Sequence, residues 1–459
     1  MKSSVTIAIL VLVAAAAPAP AQQTIHPAPG ANSSRNVKLV AHLPMGGPFN
    51  SNDVEFEQEA SRPYAYVSGR SQYGFKLISL KDLNAVHEIY RWTIENPELH
   101  TGRATAPAYF KFGGRYYLVQ SFQFQQGSPD ADMGAVVMDM TGLPDTTKIK
   151  EVARIKYPEN PGGFHEIFSY KHSNGSAILF AQVSAPWVNV YDMAKVVAGD
   201  KDRGLIGKVP NPTSMEAGTQ RGYHDMMVQY DPATKRDLFY GAGGGGYYVY
   251  DVTNINEPKL VTSATGIAGL QNGHTFTPDP TGRYAILESE YRFAPLRIID
   301  LKPGLDGTVK NISRPIGAFT VRWDGLPHNH EVRWPYVFVS HYEDGLQVFN
   351  MMDPTNPYTV ASYDTYDGPN MLNKSKPFEP PTPGQGSEQN GADGIDVRNY
   401  DGLVMIGDLF TGVWFFKVEG FDGWNGHDWG MPNISSAQDW DNGPEGAPRP
   451  PKPVTLLTH

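Results

Sequence analysis

The sequence predicts an all-β fold, a single seven-bladed β-propeller, and three observations carry that reading. A short strand phrase recurs seven times, the copies are spaced about 50 to 65 residues apart, and a lone strand near the N-terminus matches the outer strand that the last copy lacks. The phrase is an apolar run ending in Asp or a substitute. Its copies are Leu77-Ile78-Ser79-Leu80, Val137-Met138-Asp139-Met140, Val190-Tyr191-Asp192-Met193, Val249-Tyr250-Asp251-Val252, Ile298-Ile299-Asp300-Leu301, Val348-Phe349-Asn350-Met351 and Phe415-Phe416-Lys417-Val418. Such spacing suits four antiparallel strands per unit.

One unit, residues 223–265, shows the expected layout. An inner strand follows His224, a second runs Asp237–Gly241, a third Tyr247–Val252 and an outer one Pro258–Ser263. The third strand is apolar at both alternating sets of positions, as a strand buried on both faces must be. Asn36–Ala41 resembles the outer strands Pro258–Thr262 and Pro357–Ala361, so it is expected to complete the last blade and leave no free sheet edge.

The chain divides accordingly. Residues 1–21 read as a secretory signal peptide: Lys2, an apolar run from Val5 to Ala17 and an Ala19-Pro20-Ala21 cleavage site. That run, roughly 13 residues, is shorter than the ~20 needed to span a bilayer. Residues 22–418 form the propeller, with a Pro/Gly/Ser-rich insertion at 364–390 expected to be a loop at the face where the inner strands begin. Residues 419–459 form a tail expected to wrap the surface or stay partly disordered. The expected product has no membrane span and is periplasmic or secreted. With no cysteine, disulfides and thiolate metal ligands are both excluded. A net charge of −10 argues against nucleic acid as a partner.

The Asp344-Gly345-Leu346-Gln347-Val348 turn-strand and the following Asn356-Pro357-Tyr358-Thr359-Val360 resemble the LVIVD-repeat family of secreted and surface propellers. The resemblance covers most of the chain. It implies the propeller fold and a place outside the cytoplasm, and says almost nothing about activity.

Chemistry enters with the histidines. His165, His224, His274 and His330 each stand at the start of the innermost strand in four consecutive units: Phe-His-Glu-Ile, Tyr-His-Asp-Met, Gly-His-Thr-Phe and Asn-His-Glu-Val. Inner strands line the central channel, so equivalent positions form a ring around its axis and could share one divalent transition metal, Fe, Cu or Zn. Glu166, Asp225 and Glu331 alternate to the other side and are expected to support the ring. The other units offer Asp53, the neighbourhood of Thr105 and that of Asp393. His328 could share the face of His330, and His341 reads as a rim residue. The alternative structural reading is that duplication copied a histidine that only bonds inter-blade backbone.

Three functions fit these residues. The first is a metal-dependent, oxidase- or oxygenase-like enzyme acting on a small molecule at the channel mouth. The second is a polysaccharide lyase in which Arg292 or Arg333 neutralises a uronate while His and Tyr223 exchange protons, with Tyr291, Arg322, Trp323 and Trp334 beside a saccharide. The third is a non-enzymatic interaction scaffold. The glycine run 241–246 lies between strands and lacks a Lys-Ser/Thr ending, so it reads as a turn and not a phosphate loop.

Overall fold

The computed structural model describes residues 28–125, 127–321, 325–366, 390–421, 433 and 435–446. The signal peptide expected at 1–21 and the interior of the 364–390 insertion lie outside them. Among the described residues no helix is long and apolar enough to cross a membrane.

Seven four-stranded antiparallel sheets form seven blades. Blades one to six follow the chain, over residues 54–93, 102–156, 167–210, 223–265, 275–319 and 330–363. Blade seven takes three strands from residues 392–418 and its outer strand from Val37–Leu43, which pairs with Gly412–Val418 from Val37↔Val418 to Leu43↔Val413. The expected closure is therefore present. Blade four matches its sequence reading closely, with strands Tyr223–Asp231, Arg236–Gly243, Gly246–Asp251 and Lys259–Thr265.

The repeat phrase has a physical cause. At the end of each third strand in blades two to six, the side-chain oxygen of Asp139, Asp192, Asp251, Asp300 or Asn350 accepts the backbone N–H two residues on, at 2.8–3.0 Å. This Asx turn bends the chain out of the strand. It drops the next side chain, Met140, Met193, Val252, Leu301 or Met351, fully into the core. In blades one and seven Ser79 and Lys417 stand in its place, and Leu80 and Val418 are still buried.

Third strands such as Met133–Asp139 and Leu346–Asn350 are buried at every position, while outer strands such as His87–Thr93 alternate toward solvent. The core thus lies between blades. Phe180 of blade three meets Phe239 of blade four at 5.7 Å, within one continuous apolar cluster. Each such side chain contributes about 1.5–3 kcal/mol when removed from water.

The tail does more than wrap the surface. Ser435 Oγ accepts the Val332 N–H at 2.8 Å, and Ser436 Oγ bonds both Glu331 (3.0 Å) and Asp396 (2.8 Å) inside the channel. Trp440 is buried and packs edge-on against Phe110, Asp441 pairs with Lys111 at 2.8 Å, and Glu445 accepts the Tyr230 hydroxyl at 3.3 Å. These contacts reach blades six, seven, two and four, so the tail crosses the channel at the end away from His165, His224 and His274.

Candidate metal centre

Backbone bonding identifies equivalent positions in different blades. The carbonyls of Asp53, Glu166 and Asn329 each accept the N–H of the last or next-to-last residue of their second strands, Ser68, Gln182 and Ser340, at 2.9 Å. The residues just before them are Asn52, His165 and His328. His224 and Asp393 sit in bulges of their inner strands, between Tyr223 and Asp225 and between Ala392 and Gly394, and His274 immediately precedes Thr275–Pro278. Asn52, Thr105, His165, His224, His274, His328 and Asp393 all face one cavity of about 710 Å³ at the channel mouth.

Glycine brings these segments close enough to the axis. Gly163, two residues before His165, has φ +73°, and a Cβ there would stand 2.0 Å from the Phe122 carbonyl oxygen. No side chain fits that approach. Gly222, two before His224, presses on the Pro186–Trp187 backbone in the same way.

The imidazoles form a contiguous arc. His165 and His224 bring their Nε2 atoms to 2.9 Å, the His224 and His274 rings lie 3.9 Å apart, and the His274 and His328 rings 4.8 Å apart. Three of the four rings have a protein acceptor at Nδ1. These are Glu288 at 2.5 Å from His274, the Asp393 carbonyl at 2.7 Å from His328, and Gln123 Oε1 at 3.2 Å from His165. At His274 and His328 a proton on Nδ1 leaves Nε2 with its lone pair free, the arrangement in which hydrogen-bonded neighbours orient metal-binding histidines, whereas at His165 that nitrogen already meets His224. His165 has a second possible tautomer, because Arg103 can donate to its Nδ1 at 3.2 Å; Gln123, which itself accepts from Arg103 Nε at 3.1 Å, favours the first.

Glu290 completes the cluster. Its Oε2 is 3.4 Å from His274 Nε2, while its Oε1 accepts the Tyr342 hydroxyl at 2.6 Å. His224, His274 and Glu290 are, among the described residues, the group whose ligand atoms all fall within 4.8 Å of one another. His274 Nε2 is buried without a hydrogen-bond partner. Burial holds His165 and His224 far below the usual imidazole range, helped for His165 by Arg103 and for His224 by His274; burial also lowers His274, against the pull of Glu290. These rings are neutral at pH 7, and neutral imidazole with one carboxylate is a donor set that fits a divalent first-row metal. Beneath them burial raises Asp225 to about 6, although His274 and His328 pull it back.

The fourth member of the expected ring is placed differently. His330 lies two residues further down the inner strand, pairs with Val339 and lines a separate cavity of about 80 Å³ with Asp53, Glu55, Asp225 and Ser436. Burial pushes it down to about 3, and neither ring nitrogen has a partner. His328 takes the ring position. Of the supporting acids, Glu166 stands 3.9 Å from His165, but Glu331 bonds Arg333 and Ser436 in the lower channel. His341 is buried beside Asp344, at 2.9 Å, and is not a rim residue.

The proton-exchange candidates of the lyase reading separate. Tyr223 is among the residues around the mouth cavity, but it is buried and its hydroxyl donates to the Pro210 carbonyl at 2.7 Å. Arg333 is fully buried and donates to Glu331 and to the Val332 and Val397 carbonyls. Arg333 is not at the mouth, and the Tyr223 hydroxyl is engaged away from it. Arg292 and Tyr291 do line the mouth cavity, Trp334 packs against the apolar cluster of blades five and six, and Arg322 and Trp323 lie outside the described residues. Residues 241–246 are strand and turn, as read. The C-terminal flank of the insertion passes near the mouth, where Asn390 donates to Glu343 at 2.9 Å and Ala392 bridges Tyr342. Glu288, Glu290, Gln123 and Tyr342 were not singled out in the sequence; the one available signal was that Glu288 and Glu290 alternate at the end of a second strand.

No protein-family model matches the chain, and no curated protein matches it by sequence, so the LVIVD resemblance rests on its residue phrase alone. Among solved structures the chain is similar to Chaetomium thermophilum Raptor, with a TM-score of 0.53 and 11% identity over 83% of this chain. The match spans 29% of the Raptor chain, and at that identity it shows the propeller fold alone.

Proposed function

We propose that this chain is an exported, metal-dependent enzyme that acts on a small molecule at the mouth of its propeller channel. The observation that carries the reading is the common orientation of His274 and His328, each with an acceptor at Nδ1 and Nε2 left for a ligand bond, with Glu290 beside the His274 Nε2. His224, His274 and Glu290 would hold the ion, with His165 and His328 beside it. A divalent first-row ion there would supply a Lewis acid and acidify a bound water. The protein's own part is orientation. Glu288 sets the His274 tautomer and Tyr342 fixes Glu290. Export rests on the N-terminal residues 1–21.

Metal analysis of protein purified without an affinity tag tests the reading. We expect close to one equivalent of a first-row metal, lowered at least tenfold in occupancy by His274→Ala or His224→Ala and unchanged by His87→Ala on an outer strand. Metal-free parent protein, with all three variants indistinguishable from it, would leave the scaffold reading in its place.

A further inference from the structure

The mouth cavity carries a second chemical feature that the metal does not require. Arg70, from the turn after the second strand of blade one, Arg103, from the inner strand of blade two, and Arg221, just ahead of the inner strand of blade four, all line it. Arg70 lies over the Phe49 ring at 5.3 Å, and Arg103 donates from Nε to Gln123 at 3.1 Å. Among the described residues none of the three guanidiniums forms an ion pair. They repel one another: Arg70 and Arg221 both disfavour the charge on Arg103, which burial brings down to about 10. The nearer carboxylates are otherwise engaged. Glu290 serves His274 and Tyr342, and Glu166 faces His165.

Asp393 and Glu166 favour the charge on Arg103, and Glu290 and Glu166 that on Arg221, yet among the described residues no carboxylate bonds any of the three guanidiniums, so their forks keep donors for an anion in the cavity. Guanidinium presents a planar fork of donors that matches an oxo-acid group, and it keeps its charge at any physiological pH. The cavity, about 710 Å³, has the size of a small-molecule site.

We infer that Arg70, Arg103 and Arg221 form an oxyanion subsite beside the histidines, and that the substrate is a small molecule bearing a carboxylate, phosphate or sulfate group. This deepens the metal reading by naming the substrate class. It depends on that reading for what the anion is used for, and not for whether an anion binds.

The test titrates metal-free, chelator-treated protein with acetate, inorganic phosphate and sulfate separately, by calorimetry at low ionic strength. We expect saturable binding of one equivalent of at least one of them, with the tightest of the three identifying the head group. Affinity should fall at least tenfold in the Arg70→Gln/Arg221→Gln double variant, and should be unchanged in Arg236→Gln at the start of the second strand of blade four. Arg103→Gln is measured separately, since it also touches His165. Equal melting temperatures establish that the double variant is folded; if it is not, Arg221→Lys, which keeps charge but loses the fork, should weaken binding by a smaller factor. Absence of saturable binding in the parent, or equal affinity in the double variant, overturns the subsite. Anion binding without metal binding sinks only the metal reading, and metal binding without anion binding sinks only this one.

Discussion

Asp408 shows how much one buried carboxylate can govern. It ends the second strand of blade seven, where its oxygens accept the Phe410 and Thr411 N–H groups at 2.9 and 3.0 Å and the Thr365 hydroxyl at 2.8 Å. Burial nevertheless raises it to about 6. The folded state therefore holds this proton more tightly than the unfolded chain, whose Asp titrates near ~3.9. Its contribution is fully present below about pH 4 and is lost as pH rises through about 6. Asp408→Asn keeps an acceptor and cannot ionise. Thermal melts should show the variant gaining on the parent between pH 4 and 7, by on the order of 2 kcal/mol, with no change in metal content. A constant difference across that range would contradict the assignment. The histidine site shows what a single residue hides from sequence reading. Asn-His-Glu-Val around His330 imitates Phe-His-Glu-Ile around His165, yet the carbonyl that meets the second strand belongs to Asn329 in one and Glu166 in the other. Aligned by those bonds, His328 is the partner of His165. Letters alone do not record which carbonyl is bonded, and bulges at His224 and Asp393 shift the count further.

At the scale of the strand, the repeat was legible because one local bond recurs. The Asx turns at Asp139, Asp192, Asp251, Asp300 and Asn350 require a short side chain with an oxygen at a fixed place, and that requirement is written in the sequence. Removing one oxygen tests its weight. Asp251→Ala should lower stability by about 1 kcal/mol, whereas Asp251→Asn, the solution blade six already uses at Asn350, should match the parent in a denaturant titration. Equal losses in both variants would mean that the charge and not the turn matters. Glu290 illustrates the opposite case. It belongs to the segment after a second strand, where its alternation with Glu288 is the one local signal, and only the ring of blades carries it to His274.

For the molecule as a whole, closure joins residues more than 360 positions apart, as in the bond from His42 to the Thr411 carbonyl. The strand Val37–Leu43 covers the edge of Gly412–Val418, whose Trp414 and Phe416 are buried. A chain beginning after Leu43 should expose that edge and self-associate, seen as larger species in size-exclusion chromatography, and a peptide of residues 34–46 supplied in trans should reverse the effect. A truncated chain that stays monomeric and melts like the parent would show that closure contributes little. This closure was readable because the orphan strand resembles its counterparts; the tail was not, since Ser435, Ser436 and Trp440 repeat nothing and find their partners only in the assembled channel.

That tail sets the two ends of the channel apart. Ser436 is bonded across blades six and seven, and Trp440, Asp441 and Glu445 are anchored to blades two and four, so chain lies over the lower end while the histidines face the mouth cavity. Traffic to the histidines by way of the mouth comes in and leaves by one opening. Arrival and departure then exclude one another, and an occupant that lingers blocks its own successor.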